Sequence, residues 1–312
     1  MNSTLENDVR IFPQRGKILI TGGTGFIGRR IVHALRAEEQ PVRVLVRDLH
    51  RAETLRAWGC ELAQGDVTDP ESLRRAVEGC EAVVHLVAII AGKPAAFERV
   101  MAQGTRDLVA AAEEAGARRF VLMSALGVSE RSKDLVPYYR AKWAMEEAVR
   151  ASVLDHTVFR PSFVFGRDAG ILPLFVRQVR LLPVVPVVGS GTKRLQPIWV
   201  EDVAAFFAKS LSTPASVGET YDLGGPDTPT WNELYEAIAR ALGKRRRLAH
   251  LPVGLVRANA ALLGRLPRPP ITRDQLTMLE FEDNVGDIGP GLEAFGIQPI
   301  SLEEQLRRAV SR

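Results

Sequence analysis

The sequence predicts an α/β fold built on one doubly wound parallel sheet of about seven strands, and three observations predict it. Short, uninterrupted aliphatic runs alternate with helix-length amphipathic segments through the first half of the chain. Strands that are apolar on both faces belong to parallel sheets covered by helices. A glycine-rich loop closes the first run and opens the first helix. Past Arg160 the alternation loosens into proline-punctuated aliphatic stretches, which places a smaller, mainly helical lobe after the sheet.

Each element follows in order. After a polar tail over residues 1–14, Lys17–Thr21 (KILIT) reads as a buried strand, followed by a helix through Ala37. Val42–Val46 is the second strand, with a helix near Arg51–Trp58, and Glu61–Ala63 is a short third. Asp69-Pro70 then combines an N-cap with a proline at the first helical position. Ala82–Val87 is the fourth strand, Ala96–Ala115 a long amphipathic helix and Phe120–Met123 the fifth strand. Pro137–Ala151 is helical and Thr157–Arg160 is the sixth strand. Right-handed crossovers wind these units into strand order 3-2-1-4. That order sets two strands between Cys60 and Cys80, beyond the ~7 Å reach of a disulfide.

Residues 15–165 therefore form the sheet domain, rejoined by about 195–225 through Pro197–Asp202 and a seventh strand at Thr220–Leu223. Residues 166–312 form the C-terminal lobe, interleaved with the sheet. Thr230 with Glu233 makes a capping box for a helix through Leu242, and the remainder is helical and loop-rich without a sheet rhythm.

Composition narrows the function. With 46% hydrophobic and 25% charged residues and a net charge of +4, the chain of 312 residues is globular rather than disordered. No run approaches the ~18 apolar residues of a membrane span, and MNSTLENDVRIFPQ lacks a secretory pattern, so a cytoplasmic location is expected. Two cysteines and five scattered histidines make neither a disulfide framework nor a metal site. The positive charge is regional. Lys244, Arg245, Arg246, Arg247, Arg257, Arg265, Arg268 and Arg273 fall in a stretch without Asp or Glu, and the rest of the chain is net negative. Beside the apolar Leu251–Leu266, residues 244–273 are either a solvated face or a peripheral contact with an anionic surface at the inner face of a membrane. No nucleic-acid partner is expected.

TGGTGFIG, residues 21–28, fits Gly-x-x-Gly-x-x-Gly through Gly22, Gly25 and Gly28, and Gly-x-Gly-x-x-Gly through Gly23, Gly25 and Gly28. Glycine permits the tight turn, the close backbone approach to a pyrophosphate and the packing of helix on strand. The amides of Phe26, Ile27 and Gly28 then face the phosphates, helped by the helix dipole. Opening the first helix of a βαβ unit, the loop defines a Rossmann-type dinucleotide site. Nineteen residues after Gly28, at the end of the second strand, stands Arg47, where a carboxylate would bind a free ribose 2′-hydroxyl. An arginine there accommodates a 2′-phosphate, which favours NADP(H) over NAD(H). Asp48 comes one residue late and belongs to the turn.

Tyr138 and Lys142 lie four apart in YYRAK on the helix after the fifth strand, hence on one face. A phenol, with a reference pKa of ~10, needs a neighbouring cation to act as an acid–base group near neutrality. Tyr138 can then exchange a proton with a substrate oxygen while hydride moves to or from the nicotinamide. The structural alternative is a half-buried aromatic and a surface charge.

TGGTGFIG, VLVRD, GDVTD, VVHLV, SALG, YYRAK, RPSFVFG, PIWVEDVA and YDLGGP, in this order, resemble the short-chain dehydrogenase/reductase superfamily in its extended and atypical, epimerase/dehydratase-like branches. The resemblance runs from about Gly16 to Leu242 and is nearest to the group related to the nucleotide-binding accessory subunit of respiratory complex I. LPVGLVRANAAL and ITRDQLTMLEFED are similar to that group's C-terminal region. It implies that Gly22, Gly25 and Gly28 hold the pyrophosphate and Arg47 the 2′-phosphate. It also implies that Asp66 and Val67 contact adenine and that Val87 and Ala88 line the cofactor. The backbone after Arg160-Pro161 would lie near the nicotinamide, and Tyr138 and Lys142 would be the catalytic pair.

Two positions depart from the family. The Ser or Thr expected after the fifth strand aligns with Ala125, leaving Ser124 one residue early, and Met101 stands where Asn is frequent. Three functions follow. One is an NADP(H)-dependent oxidoreductase or epimerase acting on a mostly apolar small molecule, for which Phe165 and Ile171–Val188 lie where this fold builds its substrate lobe. Another is a cofactor-binding accessory or assembly protein of a membrane respiratory complex. The third is an NADP-sensing regulator, which would have no need of the Tyr138–Lys142 pair.

Overall fold

The computed structural model describes residues 16–263 and 272–311. The N-terminal tail, Arg265, Arg268 and Leu266 lie outside the described residues. In chain order the strands are β1 (Ile18–Thr21), β2 (Val42–Val46), β3 (Glu61–Gln64), β4 (Ala82–His85), β5 (Arg119–Met123) and β6 (Asp155–Pro161). They continue with β7 (Val164–Phe165), β8 (Val184–Val188), β9 (Ile198–Trp199), β10 (Glu219–Leu223) and β11 (Arg247–Leu251). Seven of them form one parallel sheet in the order β10-β6-β5-β4-β1-β2-β3. The anticipated seventh strand is β10, which pairs with β6 at the sheet edge from Glu219↔Thr157 to Leu223↔Pro161. Two strands separate β3 from β4, and Cys60 and Cys80, which precede them, are both buried and free.

Alternate residues of each strand feed two cores. Ile18, Ile20, Val44 and Val84 pack beneath α1 (Phe26–Ala37) and a later helix at 200–210. Leu19, Leu45, Val83 and Phe120 pack on the other face under α3 (Pro70–Val77), reached after the short α2 (Glu53–Ala57). That face is completed by α4 (Pro94–Phe97), α5 (Gly104–Glu114) and α6 (Pro137–Arg150). Burial on both faces is why these strands are continuous aliphatic runs rather than alternating ones.

The long helix expected over Ala96–Ala115 is corrected. It starts at Pro94 and carries a wider, π-type turn over Glu98–Gln103 before α5. There the Thr105 hydroxyl donates to the Met101 carbonyl at 2.6 Å, and Met101 is fully buried. A threonine that bonds back one turn competes with the regular ladder and loosens it.

The C-terminal lobe has its own core, gathered from α7 (Leu172–Leu181), β8, Trp199 just ahead of α8 (Val200–Ser210), α9 (Trp231–Ala241) and a terminal helix at 302–310. Thr230 caps α9 with the reciprocal Glu233 contact that its sequence predicts. The expectation of no further sheet is wrong at one place. Arg247–Leu251 forms β11, parallel to β8. Its three preceding cations and the lack of any buried side chain hide it in the sequence, and its partner lies some sixty residues earlier. The chain then runs through α10 (Val253–Leu263), α11 (Arg273–Phe281), α12 (Gly289–Phe295) and α13 (Leu302–Val310).

Candidate dinucleotide and carbonyl site

The site lies at the C-terminal ends of β1, β4 and β5, where an open parallel sheet leaves a crevice. Gly22 leaves β1 at φ +76, a conformation that L side chains rarely adopt, and a Cβ there would sit 3.2 Å from the Leu86 carbonyl carbon. Gly28 faces back on the same loop, so a Cβ would fall 2.2 Å from the Gly22 carbonyl oxygen. Gly25 is the N-cap of α1 without a side-chain hydrogen bond, and no acidic residue occupies the first turn. The amides of Phe26, Ile27 and Gly28 are therefore left for an external acceptor such as phosphate. The Phe26 ring covers Gly166 and Gly170, tying the loop to the start of the C-terminal lobe.

Arg47 stands one residue past β2, exposed and without an ion pair among the described residues. Asp48 is occupied in the turn, accepting from the His50 amide at 2.9 Å and lying 3.7 Å from Arg51. Asp66 Oδ1 accepts from the Thr68 amide at 2.9 Å and the Thr68 hydroxyl at 2.8 Å. Val67 is buried against Gly104, whose Cβ would meet the Val67 carbonyl at 2.9 Å. Val87 and Ala88 follow β4 at the margin of the core that also takes Tyr138. Pro161 ends β6, and its carbonyl accepts from the Leu126 amide at 3.0 Å.

Tyr138 and Lys142 stand on one face of α6 as their spacing predicts. Tyr138 is half-buried, with its ring edge-on to Phe97 at 6.4 Å, and its hydroxyl has no hydrogen bond among the described residues. Burial, with the adjacent Tyr139 phenol adding to it, holds the Tyr138 pKa well above the ordinary phenol value. Lys142 is fully buried, and its ammonium donates to the Met123 carbonyl at 2.6 Å. Burial lowers Lys142 to about 7, against the opposing pull of Glu146. The bond to Met123 locks α6 to the end of β5, and the next residue is Ser124. The Ser124 amide donates to the Phe159 carbonyl at 2.7 Å, and its buried hydroxyl has no partner among the described residues. A buried hydroxyl left unpaired costs free energy unless something else bonds it.

Sequence reasoning passed over His85, although a polar residue inside the apolar VVHLV was its signal. It is fully buried between Thr21, 2.6 Å from its Nδ1, and Thr105, 3.0 Å from its Nε2. Because Thr105 already donates to Met101, the imidazole donates through Nε2 and accepts from Thr21 through Nδ1. Burial, reinforced by the Lys142 charge, depresses its pKa to about 3. It stitches β1, β4 and α5 together below the site as a neutral ring.

The basic stretch is divided by the structure. Lys244–Arg247 lead into β11, Arg257 on α10 is ion-paired with Glu280 at 2.5 Å, and Arg273 opens α11. No helix among the described residues is long and apolar enough to cross a membrane.

A doubly wound sheet with a glycine loop at the first strand and a Tyr-Lys helix after the fifth defines a nicotinamide-dinucleotide-binding protein. A family model described as NAD(P)H-binding matches residues 22–214. The chain belongs to this NAD(P)H-binding family. It is 37% identical over 250 residues to a ceramide reductase of Caulobacter vibrioides, covering 79% of this chain and 77% of that protein. It is 31% identical over 306 residues to mitochondrial NADH dehydrogenase [ubiquinone] 1 alpha subcomplex subunit 9 of Rattus norvegicus, covering 93% and 79%. Among solved structures, a UDP-glucose 4-epimerase from Thermotoga maritima shares the fold with a TM-score of 0.74 at 22% identity, over 94% of this chain and 97% of that one.

Proposed function

We propose that the protein is an NADP(H)-dependent reductase of a carbonyl on a mostly apolar, lipid-like small molecule. In this reading the sheet domain over residues 15–165 binds the cofactor, and the lobe over 166–312 takes the substrate. The observation that carries it is the Lys142–Met123 bond, which ties the Tyr138–Lys142 helix to the end of β5, one residue before the unpartnered Ser124 hydroxyl. The loop from Gly22 to Gly28 fits a dinucleotide, because Cβ atoms would fill the space that its backbone needs. The Phe26, Ile27 and Gly28 amides would hold the pyrophosphate and Arg47 the 2′-phosphate. Asp66 and Val67 would border adenine, and Val87, Ala88 and the backbone at Pro161 the nicotinamide half. When bound, the cofactor supplies hydride to the carbonyl carbon.

The chain's own residues handle the oxygen. Ser124 Oγ donates a hydrogen bond to the carbonyl, satisfying its orphaned hydroxyl and polarising the bond. Tyr138 Oη delivers the proton as negative charge builds on that oxygen. Burial keeps Tyr138 protonated at neutral pH but by itself makes it a weaker acid, so the Lys142 ammonium has to favour the phenolate for the proton to leave. Lys142 orients the phenol and, protonated, favours the phenolate that remains. The ceramide reductase relative supports a lipid carbonyl as substrate. Phe165, Leu172, Phe175 and Val176 supply the aliphatic and aromatic character of the neighbouring lobe.

The assay is NADPH consumption with a long-chain keto-amide in mixed micelles. Turnover that drops in Ser124→Ala and returns in Ser124→Thr is expected. NADPH binding without turnover of any long-chain carbonyl would overturn this reading in favour of a second. That second reading is a cofactor-binding accessory protein of a membrane complex. Ala125 and the fully buried Met101 at the two family polar positions favour it, as does the complex I relative.

A further inference from the structure

Two stretches of this chain contain no carboxylate at all, residues 169–200 and 237–273. The fold brings them together. β8 and β11 pair from Arg247↔Val184 to Leu251↔Val188. Arg246 Nε donates to the Val179 carbonyl at 2.8 Å, and its Nη2 to the Arg180 carbonyl at 3.4 Å. At this junction the chain leaves α7 with its aliphatic side chains outward: Leu181 is 63% exposed, Leu182 39% and Val184 46%. Leu174, two turns back on the same helix, is 46% exposed. Half of the large exposed aliphatics among the described residues therefore collect on one short segment.

The cations around them are free. Arg167, Arg177 and Arg180 line a cleft of about 370 Å³ whose apolar walls include Pro173, Val176 and Leu181. None of these three forms an ion pair among the described residues, and neither does Arg245 or Arg247. Arg257, in the same acid-free stretch, is neutralised by Glu280.

We propose that this face, with Leu181, Leu182 and Val184 set among Arg177, Arg180 and Arg245–Arg247, docks on a bilayer containing anionic lipids. Aliphatic side chains seated among unpaired arginines match a surface whose headgroups are negative and whose chains begin a few ångströms below. The arginine stems lie along the apolar layer while their guanidinium groups stay at headgroup level. A carboxylate-rich protein would answer the charges but would leave the three protruding aliphatics unmatched. The inference does not depend on the reductase reading, because docking requires no turnover.

The test is co-sedimentation with vesicles of phosphatidylcholine alone and with about a third phosphatidylglycerol, at low and physiological salt. The wild type is expected to bind only the anionic vesicles. Arg177→Glu/Arg180→Glu should weaken that binding at least about tenfold. Leu181→Asp/Leu182→Asp should weaken it comparably with an unchanged unfolding temperature. The control Arg74→Glu/Arg75→Glu, on α3, should bind as wild type does. Equal binding to neutral vesicles, full binding by the leucine variant or equal weakening by the control would each overturn the proposal. So would no binding at all, or a wild-type dimer that the leucine variant dissociates, which would assign the face to a second copy of the chain.

Discussion

The phosphate loop and the Tyr138–Lys142 helix are made in opposite ways. Gly22 packs on Leu86 and Val87, while Tyr138, like Val87 and Ala88, packs against the core on the α3–α6 face of the sheet. The loop works through backbone: a positive φ, free amides and no room for a Cβ. The helix works through ionisable side chains taken out of water, with a phenol raised and an ammonium lowered by burial. The difference teaches that damage to the loop is steric and indifferent to pH, whereas damage to the helix is a matter of protonation.

The largest expected effect falls on the helix. Tyr138→Phe keeps the ring but removes the proton, so kcat should drop by ~10²-fold or more with cofactor affinity nearly unchanged. Stopped-flow turnover and NADPH fluorescence titration measure the two sides separately. Undiminished turnover would make Tyr138 a packing residue and erase the contrast with the loop.

Gly28→Ala should show the converse. Its Cβ meets a backbone oxygen at 2.2 Å, so NADPH affinity should collapse and stability fall by on the order of 2 kcal/mol. At Gly25 the nearest atom would be 3.2 Å away, and Gly25→Ala should cost distinctly less. Equal melting temperatures for the two variants would show that the loop is looser than its geometry.

A smaller effect is expected at the rim of the loop's side of the crevice. Wild type should prefer NADPH to NADH, and Arg47→Asp should shift that preference by about tenfold or reverse it, since a carboxylate repels a 2′-phosphate and accepts from a 2′-hydroxyl. Equal titration of both cofactors by the wild type would remove Arg47 from the site.

The smallest effect concerns His85 beneath both walls. Its folded pKa of about 3 lies below the unfolded value, so on acidification the unfolded chain takes the proton first. The stability it contributes is complete above the unfolded pKa and is lost as pH falls from there toward 3. Between pH 7 and 6 this amounts to roughly 0.7 kcal/mol. Urea melts of wild type and His85→Gln should differ in pH slope over that interval, and identical slopes would show that His85 is protonated in place.

Much of this site was legible locally. The bounds of β2, the opening of α1 at the glycine loop, the Asp69 and Thr230 caps and the Tyr138–Lys142 face follow from neighbours within a few residues. Backbone preference, capping and helical periodicity act over that range, so the sequence by itself determined the sheet, the dinucleotide loop and the pair on α6. Tertiary structure alone decided what those parts meet. It paired β11 with β8 from across the lobe, set His85 between Thr21 and Thr105, and tied Lys142 to the carbonyl before an unpartnered Ser124. Burial of a lysine or a histidine and the company of arginines from distant segments depend on where the chain returns in space, which no periodicity along the chain records.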